Sequence, residues 1–357
     1  MRLESRFLRL LASPCGIRAG QGVVTAVSGG PDSMALLHLL ADARRALRIE
    51  LIAVWIDHGL RPLETPQERE TVAAAAEQLG ISFLPRQASV AVYAVEKRLS
   101  IEHAARELRY AILREAARSC GAELIAVGHT ADDQAEELLL RLLRGSGRKG
   151  LAGMSMRNGD IIRPLLRFSK QELLAWLERR GIAFCYDSSN SERKFLRNRV
   201  RHELLPFLEE RFEPGIRSAL LKTADSLTAD EDLLEELTGK AWDETVREEG
   251  SGLTKLLRQP FRSLRPALQR RVMEQLLWRL GSRADYEQIL LLTEAALQGR
   301  NRSELHLSGG LRAGIFADRV EFSYPAGRRA WRGRLLPAPN RAPSAAPPAP
   351  APRQKPN

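Results

Sequence analysis

The sequence predicts an α/β fold: a parallel, twisted sheet with helices on both faces, followed by a mainly α-helical domain. Three observations carry that reading. Short apolar runs alternate with stretches of helical periodicity through the first half of the chain. Glycines punctuate that half, Gly80 and Gly121 standing directly after two helical stretches. From about Ser169 the apolar spacing becomes mainly helical.

In chain order, Met1 to Leu11 mixes Arg2, Glu4, Arg6 and Arg9 into an apolar pattern. That is an amphipathic opening helix and lacks the continuous apolar stretch of a secretory signal. Val23 to Val27 is the first strand, and Pro31 to Arg45 follows with helical periodicity. Glu50 to Ile56 is a second strand, Pro66 to Leu79 a helix, and Ile81 to Leu84 a third strand. Ile101 to Cys120 is a long amphipathic helix, Leu124 to Val127 a fourth strand, and Ala131 to Leu143 another helix. Ser169 and Glu172 have the spacing of a capping box ahead of Leu173-Leu174-Ala175-Trp176. Pro214 to about Gln298 reads as several helices with no clear strand. Glu304 to Phe322 alternates around Gly309-Gly310, as a small hairpin would.

A chain of 357 residues suits two domains. The patterns divide it into residues 1–210, an α/β domain, residues 211–330, a helical domain ending in the hairpin, and residues 331–357, a Pro/Ala-rich tail that cannot bury a core. Hydrophobic residues are 44% and charged residues 28%, ordinary for a soluble globular protein. No apolar run reaches the roughly 18 residues of a membrane span, so no membrane partner is expected. The three cysteines, Cys15, Cys120 and Cys185, are too scattered for a disulfide framework or zinc cluster and suit a reducing cytoplasm. A net charge of +11 favours a polyanionic partner, nucleic acid first, or reflects an arginine-rich composition spread along the chain.

The most specific segment follows the first strand. Ser28-Gly29-Gly30-Pro31-Asp32-Ser33 leads directly into a helix. The glycines let backbone approach a ligand closely, and Pro31 suits the first helical turn. Free N–H groups and the positive end of the helix dipole then form an anion site, to which Ser28 and Ser33 add hydroxyls. Asp32 would repel bare phosphate, so it points to a Mg²⁺ ion shared with the phosphates. By contrast, Gly145-Ser146-Gly147-Arg148-Lys149-Gly150 matches a dinucleotide-binding pattern but follows a helix rather than a strand. It reads as a helix stop and basic loop.

The fourth strand ends at Gly128-His129, ahead of Asp132, Asp133, Glu136 and Glu137. Ligands of open parallel sheets bind at strand carboxyl ends, which puts His129 at the ligand edge. Asp132, Asp133 and Glu136 share neighbouring helix surface. Such a cluster can hold Mg²⁺, bind an ammonium group or accept a proton; helix capping alone would account for one or two of the acids.

The loop resembles the SGGxDS loop of the PP-loop ATP pyrophosphatase superfamily, whose Rossmann-like domain cleaves ATP to AMP and pyrophosphate. Within it, the His129 stretch resembles the HxxDDxAET element of the tRNA(Ile)-lysidine synthetase family, with Glu137 in place of Thr. Asp57-His58-Gly59-Leu60-Arg61, Arg106-Glu107-Leu108-Arg109-Tyr110, Arg163-Pro164-Leu165-Leu166, Asp187-Ser188-Ser189-Asn190 and Arg197-Asn198-x-x-Arg201 resemble further elements of that family. Asp57 replaces a first His, and Ser188 a Pro. The resemblance covers about Gly22 to Pro206, with weaker likeness to about Phe322, and implies that residues 1–210 are the ATP-binding catalytic domain and residues 211–330 a tRNA-binding domain.

The resemblance implies ATP and Mg²⁺, L-lysine, and an isoleucine tRNA with a CAU anticodon. It implies adenylation of the wobble cytidine followed by attack of the lysine side-chain amine, and it allows a homodimer. On this reading Asp32 ligates the metal, His129 lies at the reaction centre, and Asp133 and Glu136 are candidates to bind the lysine ammonium and take its proton. Arg109 pairs with the lysine carboxylate or a phosphate, or is a surface charge. Arg197 and Arg201, in the basic run with Arg193, Lys194 and Arg199, contact tRNA phosphate or line a solvated helix face. A thiolase is the alternative enzyme, and the absence of a cysteine pair in sequence counts against it. A non-catalytic RNA-binding protein is a third reading, opposed by the intact loop and acidic cluster.

Overall fold

A computed structural model describes residues 2–60, 65–186, 196–249, 253–282 and 284–324. The chain divides between Ala229 and Asp230 into two compact units. That division falls inside a helix, downstream of the 210/211 boundary read from sequence, because the helix Ile216–Thr245 runs unbroken through it.

The first unit contains α1 (Leu3–Ala12), β1 (Gly22–Ala26), α2 (Pro31–Leu47), β2 (Glu50–Asp57), α3 (Thr65–Leu79), β3 (Ser82–Gln87), α4 (Val90–Lys97), α5 (Ile101–Ser119) and β4 (Leu124–Ala126). It continues with α6 (Ala131–Leu143), α7 (Arg148–Leu151), β5 (Arg157–Asn158), β6 (Ile161–Ile162), α8 (Lys170–Arg180), α9 (Leu196–Arg199), a π-helical turn (Val200–Leu204), α10 (Leu205–Arg211) and the start of α11 (Ile216–Thr245). The strands form one sheet in the order β3-β2-β1-β4-β6-β5, parallel except for β5. The elements α4, α7, β5 and β6 are too short for periodicity to reveal. The expected basic loop after α6 contains a helical turn, with Gly147 as the N-cap of α7.

Successive residues of a strand point to opposite faces. Val23 accordingly joins a core with Met34, Leu37, Leu40, Phe168 and Trp176, whereas Val24 joins Leu113, Ala116 and Ile125 on the other side. The sheet is thus covered on both faces, as parallel sheets require. The chain passes from β1 outward through β2 and β3, then returns to place β4 on the other flank of β1. The carboxyl ends of β1 and β4 therefore flank the switch point where open α/β sheets bind ligands. The Ser28–Ser33 loop and the His129 segment leave from those two ends.

The second unit corrects one expectation. The stretch read as only helical contains β7 (Val246–Glu249) and β8 (Leu253–Leu257), alongside α12 (Arg258–Ser263), α13 (Pro266–Arg279) and α14 (Tyr286–Gln298). The expected hairpin is β9 (Ser303–His306), β10 (Arg312–Ile315) and β11 (Arg319–Ser323), and all these strands form a five-stranded antiparallel sheet, β7-β8-β11-β10-β9. The missed signal is short: in β8 Thr254 and Leu256 are buried while their neighbours are half-buried, a period-2 pattern within five residues. Pairing to β11, far away in sequence, secures it. Residues 331–357 and Asp187-Ser188-Ser189-Asn190 lie outside the described residues, as do Arg61, Arg193 and Lys194. No helix among the described residues is long and apolar enough to cross a membrane.

Candidate active site

The Ser28–Ser33 loop joins β1 to α2. Gly29 holds φ +91°, a conformation that strains other residues, and a Cβ there would meet Glu68 of α3 at 3.4 Å. Gly30 is the N-cap of α2, with no side chain capping it, and Pro31 opens the helix. Ser33 Oγ donates to Gly30 O at 2.9 Å and accepts from the Ser28 N–H at 3.1 Å, so the helix's own first turn fixes the loop. The Ser28 and Ser33 hydroxyls lie 3.2 Å apart. Gly128, after β4, lets that strand end approach: a Cβ would sit 3.3 Å from the Asp32 carbonyl.

Asp32 faces the same space. Lys170 Nζ, from the first residue of α8, lies 3.5 Å from Asp32 Oδ2. The other oxygen, Oδ1, is buried and has no hydrogen-bond partner. Burial pushes the Asp32 carboxyl up to about 6; Lys170 opposes this and Asp133 adds to it. A carboxylate with one open, desolvated oxygen fits a divalent cation whose other ligands are phosphate oxygens and water. No group of three or more His, Cys, Asp or Glu side chains among the described residues forms a metal cage.

The α6 cluster is more fully paired than its sequence suggests. Thr130 caps α6: its N–H and hydroxyl both donate to Asp133 Oδ2 at 2.9 Å, and its Oγ accepts from the Asp133 N–H at 3.4 Å. Glu136, with 1% of its side chain exposed, receives Arg201 Nε on Oε1 at 2.6 Å and Nη2 on Oε2 at 2.9 Å. Arg197 Nε adds a bond to Oε2 at 3.2 Å. Asp133 Oδ1 lies 3.2 Å from Arg201 Nη2 and 3.8 Å from Arg197 Nη2. Asp132 accepts from Arg217 at 3.0 Å and from the Lys170 N–H at 2.8 Å, and Glu137 accepts from Arg141 at 2.7 Å. The π-helical turn at Val200–Leu204 lies between Arg197 and the α10 segment and carries Arg201.

The structure adds ion pairing to two sequence expectations. Asp133 and Glu136 already carry guanidinium partners, so an incoming ammonium group would have to displace one of them. Arg197 and Arg201 are neither a solvated face nor wholly free for phosphate. An almost fully buried carboxylate requires such pairing. Burial opposes the charge on Asp133, but Lys170, the Thr130 N–H and Arg197 outweigh it and hold the carboxyl below its ordinary range.

His129 stands between loop and cluster, and its Nδ1 is buried without a partner. Burial pushes the imidazole down to about 4, against the pull of Asp133. It is neutral at physiological pH and cannot act there as a protonated acid. Because its value falls below the ordinary 6.5, the folded state loses stability as pH drops from about 6.5 towards 4. A His129→Asn variant is expected to show a flatter stability–pH curve across that window in urea titrations; an unchanged slope would refute the assignment.

Arg109 on α5 is exposed and has no hydrogen-bond or ion-pair partner among the described residues, and it lies in the field of Arg106 and Arg197. Arg163 is buried nearby, donating from Nη1 to Ser155 O at 2.9 Å. Asp57 closes a turn at the end of β2, accepting from the Gly59 N–H at 2.8 Å. Sequence reasoning passed over Lys170 and Arg217, and took Cys185 only as one of three scattered cysteines. Lys170 left one signal, a cation in the first turn of a helix, where the dipole disfavours it. No sequence signal placed Cys185 at the loop: its N–H donates to Gly29 O at 2.8 Å and its Sγ lies 3.4 Å from Thr71 Oγ, contacts only the fold creates. All three cysteines are free thiols.

The arrangement combines a helix N-terminus with no side-chain cap, an open carboxylate oxygen, an ammonium group and a paired arginine–carboxylate cluster by the ends of β1 and β4. It can hold a polyphosphate with its cation and orient a second reactant. A PP-loop domain profile matches residues 1–208. The tRNA(Ile)-lysidine synthase of Geobacter sulfurreducens is 41% identical over 72% of this chain and 55% of its own length. That of Thermus thermophilus is 38% identical over 82% of this chain and 54% of its own. That of Geobacillus kaustophilus is 33% identical over 86% of this chain and 68% of its own. The chain thus spans little more than half the length of the first two relatives. Among solved structures, the U34-tRNA thiolase NcsA from Methanococcus maripaludis superimposes with a TM-score of 0.52 at 19% identity, covering 63% of this chain and 78% of that one, a likeness of fold. With the loop, the sheet order and the α6 cluster all in place, the chain belongs to the PP-loop family of tRNA(Ile)-lysidine synthases.

Proposed function

We propose that this protein is an ATP-dependent ligase that joins the side-chain amine of L-lysine to the wobble cytidine of an isoleucine tRNA with a CAU anticodon, in the cytoplasm. The observation that carries the proposal is the convergence of the Ser28–Ser33 loop, with its open Asp32 oxygen, and the His129–Glu136 segment at one switch point of the sheet. The cytidine C2 oxygen attacks the α-phosphorus of ATP and pyrophosphate leaves. The deprotonated lysine amine then attacks C2, AMP leaves, and the nitrogen gives up a proton.

The loop's N–H groups and the α2 dipole receive the negative charge that develops on phosphorus. Mg²⁺, held by Asp32 and phosphate oxygens, would polarise the phosphoryl group and neutralise the leaving group. Glu136, Arg197 and Arg201 hold α6 and the segment after residue 195 in one geometry. Asp133 Oδ1, on the longer arginine contacts, is the carboxylate oxygen best able to exchange a guanidinium for the incoming ammonium. Arg109, lacking an acidic partner, is free to take the lysine carboxylate or a phosphate. The second unit would hold tRNA outside the anticodon.

The test is incubation of the protein with Mg²⁺, ATP, labelled lysine and an isoleucine tRNA transcript. Label on the tRNA, with AMP and pyrophosphate formed in equal amounts, is expected. Folded protein that leaves the tRNA unlabelled would overturn the proposal.

A further inference from the structure

Lys170 is a cation placed against the grain of its helix. It is the first residue of α8, directly after the N-cap Ser169, and Ser169 and Glu172 form a reciprocal capping box there. A positive side chain in a first helical turn is opposed by the dipole. Two further helix N-termini lie beside it. The α2 start carries Asp32, 3.5 Å from the Lys170 ammonium, and the α6 start carries Asp132, which accepts the Lys170 N–H at 2.8 Å. The Ala131 N–H donates to Phe168 O at 2.9 Å, which fixes the starts of α6 and α8 to each other.

The Lys170 charge acts on both Asp32 and Asp133. Its contact with Asp32 is long for an ion pair, and the side chain keeps 31% of its surface exposed. A lysine kept only to neutralise Asp32 would gain from close contact with Oδ1, yet that buried oxygen has no partner. Positive dipole ends and an ammonium group gathered beside the phosphate loop gain their full stabilisation only when a polyanion sits among them.

We propose that Lys170 is a substrate-contacting residue of the nucleotide site, and that its ammonium leaves Asp32 to bind the β- and γ-phosphoryl groups of ATP and the pyrophosphate that departs. This rests on the nucleotide-site reading above and adds to it the residue that stabilises the leaving group. AMP carries neither of those phosphoryl groups. Loss of the ammonium must therefore weaken ATP and pyrophosphate and spare AMP.

The experiment is calorimetric binding of inorganic pyrophosphate, ATP and AMP, each with Mg²⁺, to the wild-type chain and to K170M, K170Q and K170R. K170M and K170Q are expected to weaken pyrophosphate and ATP by about tenfold or more, the loss of one charge-assisted contact, with AMP affinity unchanged. K170R, which keeps the charge, is expected to recover most of the difference. Unchanged pyrophosphate affinity in K170M overturns the proposal. So does an equal loss of pyrophosphate and AMP, which would make Lys170 a support for the loop's shape. A wild-type chain that binds neither ATP nor AMP overturns the nucleotide-site reading itself, and the inference with it.

Discussion

Arg201→Ala is expected to lower the stability of the first unit by about 3 kcal/mol, within the range for breaking a buried pair, and to abolish the proposed lysine transfer. Glu136 has 1% of its side chain exposed, and Arg201 supplies two of its contacts, at 2.6 and 2.9 Å. Removing the guanidinium leaves a buried carboxylate with only the longer Arg197 bond. Replacing both partners with apolar residues of similar size, Glu136→Leu with Arg201→Met, is expected to restore most of the stability and none of the activity. The contrast separates the folding role of the pair from its part in shaping the site. Urea unfolding at constant m-value measures the first effect, and lysine incorporation the second. A single Arg201→Ala variant within 1 kcal/mol of wild type, roughly the value of an exposed ion pair, would show that the pair is not buried in this sense.

Asp32→Asn is expected to reduce turnover by about a thousandfold while stabilising the nucleotide-free protein, the opposition expected where a site is kept strained for function. The sign follows from the carboxyl itself. Its folded value, about 6, exceeds the ordinary 3.8, so ionisation is penalised in the folded state. The penalty is absent below pH 4, grows as pH rises and is complete above about 6. Asparagine avoids it, gaining on the order of 1–3 kcal/mol at neutral pH and nothing near pH 4. Thermal unfolding across that window, without Mg²⁺ or ATP, tests the claim. A difference that shrinks with rising pH would contradict it.

Much of the first unit was legible because its signals are local. The capping box at Ser169 and Glu172, the glycine stops and the strand-to-helix turn at Gly30-Pro31 each need only a few consecutive residues. The boundaries of α6 agree with the periodicity to the residue. The second unit's sheet was not legible, because β7 and β8 are short and β8 pairs with β11 from far along the chain. No local pattern encodes a partner at that separation.

The candidate site divides in the same way. Sequence alone determined the Ser28–Ser33 strand-to-helix turn, the acidic helix and their placement at strand ends, because backbone conformation and helix periodicity follow from residues near each other in the chain. Only the tertiary structure decided which charges meet. It placed Arg197 and Arg201 on Asp133 and Glu136, brought Lys170 to Asp32, and laid Cys185 against Gly29. Ion pairing in a desolvated crevice depends on distances of a few ångströms between residues dozens of positions apart, and only the packing of the helices on the sheet fixes those distances.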